Sequence, residues 1–539
     1  MSLPDAIRSG GLLVYRRLEH IFDAPFGAAL NPWRNLGALG FLFFWIVAVS
    51  GVYLFAVLDT SSSGAYRSID WLTHEQWYLG GVLRSLHRYA ADGFIVVTLL
   101  HVLREFLFGR YTGFRRFSWL TEVPLLWFAY VSGIGGFWLN WDRLGQFSAV
   151  ATAEWLDSLS IFATPMTRNF LTNAAVSDRL FSLLVFIHIG VPLLLIFGLW
   201  FHIQRISRAA VFPPRPLALG AFATLLALAL AAPVVSQAPA DLASVPGPLP
   251  LDWFYLFLHP LMYATSPGSV WALLAAASVL LFLLPFLPQP RQLAAQPIAQ
   301  VHPDNCNGCR RCFDDCPYAA IGMIPHPNGK PGMQLAQVIP DLCASCGICA
   351  GSCPSATPFR SAGELVTGID MPQLPIGALR QALEDKLAAL RGDSKIVVFG
   401  CDQGARSDAL AGQEVASFSL ICTGMLPPSF VEYALRGGAD GVLVTGCRAA
   451  GCAFRLGNRW TEERLLGARE PHLRTSVDRQ RICIAWADPG EEQELHAALA
   501  NFRSRIAALG APAASSPMPL PDSTRTPPKR IAAHGHVRL

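Results

Sequence analysis

The sequence predicts a multidomain protein: an all-α bundle of six membrane-crossing helices, then a small α+β domain, then an α/β domain. Three observations predict it. Six long apolar runs fill the first half of the chain. Two four-cysteine runs of matched spacing follow. The remainder alternates strand-like and helix-like stretches around further cysteines. Composition agrees. Hydrophobic residues make up 52% of the 539 and charged residues 15%, against about 25% charged in soluble chains. That excludes a disordered chain and argues against an ordinary soluble enzyme. The net charge of +4 is too small to argue for nucleic acid.

The apolar runs lie at about 36–58, 80–103, 119–139, 180–203, 216–235 and 269–287. A spanning helix needs about 20 apolar residues, and so many runs leave too little polar surface to hide them in a soluble core. Residues 1–35 form a charged N-terminal segment without the short apolar block of a signal peptide. Arginines set the orientation. Arg8, Arg16, Arg17 and Arg34 precede the first run, Arg104, Arg110, Arg115 and Arg116 follow the second, and Arg205, Arg208 and Arg215 follow the fourth. The stretch 236–268 has no Lys or Arg. The positive-inside rule then puts both termini in the cytoplasm of a prokaryotic inner membrane, with the later domains on the same side.

His87 and His101 lie on the second run, His188 and His202 on the fourth, each pair fourteen residues apart. Fourteen residues is about 3.9 turns, so each pair shares one helix face, roughly 21 Å apart along the axis. Alternate helices of an up-down bundle run in the same direction. His87 therefore faces His188 and His101 faces His202, and each pair can hold a haem iron from both sides. The alternative is interhelical polar contact, which does not explain four residues at matched spacing. Gly37 and Gly51 repeat the fourteen spacing on the first helix and would let a flat macrocycle approach the backbone. Arg84 and Arg104 flank the histidines and could pair haem propionates, although Arg104 also reads as a plain positive-inside charge.

These residues resemble the cytochrome b family of bc1 and b6f complexes over about 33–287. "RSLHRYAADGFIVVTLLHVLR" is similar to that family's second helix and "HIGVPLLLIFGLWFH" to its fourth. The segment ending Leu251-Asp252-Trp253-Phe254 resembles the PEWY stretch of the quinol-oxidation site. The resemblance implies two b haems at 36–210, two further helices with a quinone-site loop at 211–290, and a dimer. It makes Asp252 the proton-accepting, quinone-binding carboxylate, beside Trp253 and Phe254; a loop-turn residue is the plainer reading of Asp252. Glu122 stands where a haem-packing glycine would align, and the runs stop at six. No Cys-x-x-Cys-His is present, so no covalent haem is expected.

After a linker at 291–300 come Cys306-x2-Cys309-x2-Cys312-x3-Cys316-Pro and Cys343-x2-Cys346-x2-Cys349-x3-Cys353-Pro. This is the bacterial two-cluster ferredoxin pattern, in which the fourth cysteine of each run reaches the other cluster. Within a domain at 301–358, one [4Fe–4S] takes Cys306, Cys309, Cys312 and Cys353. The second takes Cys343, Cys346, Cys349 and Cys316. Zinc and disulfides fit the spacing less well.

A connector at 359–394, with a helix near 376–391, leads to 395–510. There "SKIVVFGC", "GADGVLVTGC" and "RICIAWAD" read as buried parallel strands between helices. Cys401, Cys447 and Cys452 fall at strand ends, where such sheets gather ligands, and Cys422 precedes a helix. Cys483 sits mid-strand as a small core residue. With "ICTG" and "GADGVLVTGCRAAGC", the stretch resembles the delta subunit of methyl-viologen-reducing hydrogenases. The resemblance implies a [2Fe–2S] cluster on Cys401, Cys422, Cys447 and Cys452. The tail 511–539, rich in Pro, Ser and Ala, reads as disordered.

No Gly-x-Gly-x-x-Gly after a strand and no Walker loop is present. The expected function is the membrane subunit of a respiratory complex, an enzyme only as part of that complex. A soluble partner, a flavin-containing dehydrogenase or a heterodisulfide-reductase-like subunit, feeds electrons through the iron–sulfur sites and haems to the membrane quinone pool. The alternative reverses the flow: quinol is oxidised and electrons leave for a low-potential acceptor, linked to flavin-based bifurcation. A redox sensor is disfavoured because no output domain is seen.

Overall fold

The computed structural model describes residues 3–204, 211–244, 247–287, 297–329, 332–361, 363–448 and 451–510. Arg205, Arg208, most of the expected linker and the tail from 511 lie outside them. The chain divides into two compact units: Met1–Gln296 with Pro317–Ala319, and Pro297–Cys316 with Ala320–Leu539.

The first unit is helical: α1 (Leu3–Leu30), α2 (Leu36–Val57), α3 (Ala65–His74), α4 (Val82–Leu107), α5 (Arg116–Asn140), α6 (Arg143–Asp157), α7 (Asp178–Gln204), α8 (Arg215–Ala231), α9 (Leu258–Ala264) and α10 (Pro267–Leu283). The expected N-terminal segment 1–35 is thus largely a helix. Its Tyr15 packs with Leu36 and Leu107 in an apolar cluster. Leu36–Val57, Gly113–Asn140, Asp178–Gln204 and Pro267–Phe286 are long and apolar enough to cross a membrane. The other two expected spans differ. α4 is long enough at 26 residues but carries Arg84, Arg88 and Asp92 in its first half. α8 has 17 residues, short of the ~20 a bilayer asks for. Charge on α4 is tolerated because it is paired inward: Arg88 Nη1 lies 2.5 Å from Asp92 Oδ1. Within this unit α2 packs along α4, and α5 along α7.

In the second unit, β1 (Gln300–Val301) pairs antiparallel with β4 (Ile369–Asp370), and β2 (Ile321–Pro325) with β3 (Gln334–Val338). β1 therefore starts inside the expected linker, and β4 lies beyond the expected domain end at 358. Short helices α11 (Arg311–Asp315) and α12 (Ile348–Ser352) each lie between cysteines of one run. Four strands then form a parallel sheet in the order β6-β5-β7-β8: β5 (Ile396–Cys401), β6 (Val415–Leu420), β7 (Gly441–Gly446) and β8 (Ile482–Trp486). Both faces of the central strand are covered. Ile396, Val397, Val398 and Phe399 are all 0% exposed, as a parallel sheet requires. One face carries α13 (Ile376–Ala389) and α14 (Ser429–Arg436); the other carries α16 (Glu492–Leu509). The expected connector thus supplies core: Ile376, Leu379 and Leu383 of α13 are buried with the sheet. Cys483, on β8, packs beside the α16 face.

Glycine positions on α5 separate packing from propensity. A Cβ on Gly133 would lie 2.1 Å from the Tyr255 ring. That ring is 2% exposed, and its hydroxyl donates to Ala91 O at 2.6 Å, so it has nowhere to go. At Gly135 nothing lies within 4 Å. Gly133→Ala should destabilise the bundle by about 1–3 kcal/mol, whereas Gly135→Ala should stabilise it by up to ~1 kcal/mol. Thermal loss of helical circular dichroism in detergent reads both, and equal behaviour of the two variants would contradict the packing.

Candidate functional site

α4 carries His87 and His101, and α7 carries His188 and His202. The His87 and His188 ring centroids are 6.3 Å apart. Imidazole nitrogens sit about 2.0–2.1 Å from a bound metal, so two rings gripping one iron from opposite sides have centroids about 6 Å apart. Three of the four rings are anchored through Nδ1 on a helix carbonyl. His87 meets Val47 O at 3.0 Å, His188 meets Ser132 O at 2.9 Å, and His202 meets Ser118 O at 2.9 Å. A ring that donates from Nδ1 presents Nε2 as its free ligand atom, and the bond makes that nitrogen more basic.

Glycines make room for these anchors. A Cβ at Gly51 would lie 3.1 Å from the His87 ring, and one at Gly37 would lie 3.3 Å from the His101 ring. Both therefore face imidazole edges. The sequence reading missed a third, Gly136, whose Cβ would lie 3.0 Å from His188. It stands fourteen residues after Glu122, so a fourteen-residue repeat of glycines does not reveal it. The fourth position of that set is Glu122 itself, buried, with Oε1 3.7 Å from His101 Nε2. Ligand atoms of His101, Glu122 and His202 all lie within 4.8 Å of one another. The second pair thus includes a carboxylate that the first lacks.

The two arginines differ. Arg84 Nη2 donates to Asn140 Oδ1 at 3.0 Å and Ser236 Oγ at 2.9 Å, and Nη1 to Thr73. All three are neutral acceptors, and the negative charge acting on it comes from Asp142 and Asp70. Arg104 instead binds Glu19 of α1 at 3.0 Å and lies 3.5 Å from Glu105. The expected propionate partner is here already matched by the chain's own carboxylates, because α1 folds back onto α4.

Asp252 has a different setting from Trp253 and Phe254. Asp252 is ion-paired with Arg88 and accepts from Tyr255 N at 2.8 Å. Trp253 is 68% and Phe254 51% exposed. The expected free carboxylate is therefore a committed one. The Arg88 guanidinium also lies over the Phe137 ring, 4.7 Å from its centre.

In the second unit the eight ferredoxin-type cysteines gather in two sets. Cys306, Cys309, Cys312 and Cys353 line one pocket with Met323 and Ile369. Burial pushes the Cys312 thiol up to about 12, helped by Cys353, Cys309 and Cys306. Burial likewise holds Cys349 well above the thiol range, beside Cys346, Cys316 and Cys343. Buried thiols resist ionisation, and bound iron supplies the positive charge that thiolates need. The two runs follow the same backbone path: Gly308 and Arg310 in one, Ser345 and Gly347 in the other, all have positive φ. A left-handed non-glycine residue costs about 1–3 kcal/mol and persists where the surroundings demand it.

Cys401, Cys447 and Cys452 form a buried cluster at the carboxyl end of the sheet. Cys422 joins it through Cys401, which falls well below the thiol range because Cys422 and Cys447 hydrogen-bond to it. Backbone amides also point at sulfur: Gln403 N lies 3.4 Å from Cys401 Sγ, and Gly424 N lies 3.4 Å from Cys422 Sγ. Four buried sulfurs with amide donors and no disulfide among them suit a metal or cluster.

Residues 21–210 match the family model described as Cytochrome b/b6/petB. Residues 297–357 match a 4Fe-4S dicluster domain, and 394–510 match the Methyl-viologen-reducing hydrogenase, delta subunit. The first part of the chain is cytochrome b-like. A curated relative, cytochrome b6 of Heliobacterium mobile, is 27% identical over 198 residues, 36% of this chain and 92% of that protein. A solved chain described as Hyperthermophilic respiratory Complex III is similar at 19% identity and a TM-score of 0.38, over 47% of this chain and 75% of that one. The chain is accordingly a transmembrane electron-transport protein with cytochrome b, haem and 4Fe–4S character.

The glycine contacts in the cytochrome b-like part are directly testable. Gly51→Val should drive a side chain into His87 and remove the same haem spectral component as His87→Ala. Gly37→Val should remove the component lost in His101→Ala. Low-temperature α-band spectra distinguish the two, and swapped losses would separate each glycine from the ring it faces.

Proposed function

We propose that this chain is the membrane subunit of a respiratory complex, carrying electrons between a soluble flavin-containing partner and quinone. The observation that carries the proposal is the His87–His188 pair: two rings from different helices, each anchored at Nδ1, with centroids 6.3 Å apart. A haem held there supplies a one-electron carrier inside the membrane. His101 and His202 would hold a second haem, with Glu122 turned toward it. The ferredoxin-type cysteines would hold two [4Fe–4S] clusters, and Cys401, Cys422, Cys447 and Cys452 one [2Fe–2S] cluster. Arg84 would pair a propionate. Both termini and the second unit are proposed to face the cytoplasm, on the arginine distribution.

Each residue's part follows from its setting. The carbonyl bonds to Nδ1 fix ring orientation and tautomer. Trp253 and Phe254 offer flat apolar faces to a quinone. Asp252 would exchange a proton only by releasing Arg88, which keeps Asp92 as a second partner.

The purified chain should contain roughly ten non-haem irons and two b haems. His87→Ala and His188→Ala should lose one shared haem component, and His101→Ala and His202→Ala the other. Loss of a common component by His87→Ala and His202→Ala would refute the pairing. For the quinone side, Asp252→Asn with both haems retained should lower quinone turnover at least tenfold, a barrier rise of about 1.4 kcal/mol. Unchanged turnover would move the quinone site away from this segment.

A further inference from the structure

The four-cysteine site of the sheet and one ferredoxin-type site meet across a set of glycines. The turn after Cys422 packs on α12, the short helix holding Cys349 between Cys346 and Cys353. Glycine stands on at least one side of each close approach. A Cβ on Gly351 would lie 2.2 Å from Gly424 O, one on Gly424 2.7 Å from Ile348, and one on Gly347 2.9 Å from Met425. Cys346 also contributes to the electrostatic surroundings of Cys422.

A buried cation closes this junction. Arg464, on α15 (Gly457–Leu466), is 1% exposed. Its Nη1 donates to Gly424 O at 2.8 Å, two residues past Cys422, and its Nη2 pairs with Asp315, the residue before Cys316. Asp315 also receives Arg469 Nη1 at 2.7 Å. One guanidinium therefore ties the Cys422 loop to the Cys316 loop. Its Nε is buried with no hydrogen-bond partner among the described residues. An orphaned donor on a permanent cation costs free energy, and Cys422 lies within its electrostatic reach.

We propose that electrons cross between the sheet's four-cysteine site and the site of Cys343, Cys346, Cys349 and Cys316. The site of Cys306, Cys309, Cys312 and Cys353 lies beyond it on the path. Arg464 is the positioning residue of the crossing. One electron leaves one site and arrives at the other, with no atom or proton transferred. The guanidinium holds the two loops together, and its charge favours the reduced state on both sides. This inference rests on the reading that both sites hold clusters.

The test uses the full chain in detergent. Iron content and the separate EPR signals check the underlying reading, and their absence in the unmodified protein would sink that reading and this inference with it. In the unmodified, fully reduced protein the [2Fe–2S] signal should show magnetic coupling to a [4Fe–4S] partner. Coupling should survive Cys309→Ser, which alters the far site, and vanish in Cys346→Ser. Coupling lost in Cys309→Ser but kept in Cys346→Ser would reverse the order and overturn the proposal, as would intact signals with no coupling at all. Arg464→Met should retain iron while shifting the oxidised-to-reduced ratio of the two junction sites at least tenfold toward oxidised, 59 mV for one electron. Arg464→Lys should recover part of that shift. Unchanged potentials, or an equal shift at the far site, would remove Arg464 from the role. Should Arg464→Met lose iron, Asp315→Asn gives the opposite sign: removing the anion should move the junction sites toward reduced, and no movement would count against the proposal.

Discussion

An imidazole buried between apolar helices must satisfy its second nitrogen inside the protein, because no water is there to do it. That requirement organises the first unit. Helix carbonyls are normally covered by their own hydrogen bond and by the side chain one turn on. His87 reaches Val47 O, four residues before Gly51, and His188 reaches Ser132 O, four before Gly136. Where the side chain one turn on is missing, the carbonyl is open to a second donor. His87 and His188 are thereby locked to the register of a neighbouring helix, α4 against α2 and α7 against α5, whereas His202 reaches Ser118 O with Glu122 one turn on. The fourteen-residue repeat then follows from helix geometry, since about 3.9 turns return to nearly the same face.

The same low-polarity setting explains where the charges go. An unpaired guanidinium among apolar helices is expensive, so Arg88 and Arg104 are each matched by one carboxylate close in sequence and one from a distant segment. Arg88 takes Asp92 and Asp252; Arg104 takes Glu19 and Glu105. Asp252 is thus part of what lets α4 carry charge. Any proton chemistry at that carboxylate has to compete with a guanidinium already seated on it.

What could be read in the sequence divides along the same line. The histidines and the two cysteine runs are legible because local geometry fixes their spacing: a helix period for one, the wrapping of a cluster for the other. Partners from distant segments are not. Asp252 reads as free because nothing near it in sequence is positive, and Arg104 reads as available because Glu19 lies a whole helix away. Gly136 is obscured because its repeat partner is Glu122 rather than a glycine. β6 escapes because "VASFSL" is more polar than its neighbours, yet as the sheet's edge strand it pairs with β5 along its full length. α13 reads as a helix within a connector, and its Ile376, Leu379 and Leu383 face the sheet, a contact that its own stretch of sequence does not reveal.

In the second unit the constraint is again a buried charge. Asp315 brings one negative charge and receives both Arg464 and Arg469. Arg469 shares itself with Glu463 at 2.8 Å, near the surface, whereas Arg464 is enclosed. Arg464 therefore keeps one donor unmatched close to Cys316 and Cys422, where solvent cannot reach it. A structural ion pair alone would be served by fully matched donors, and replacing such a pair by apolar side chains often costs nothing. A buried cation with an orphaned Nε fits a place that gains negative charge when it works, and a site accepting an electron is such a place.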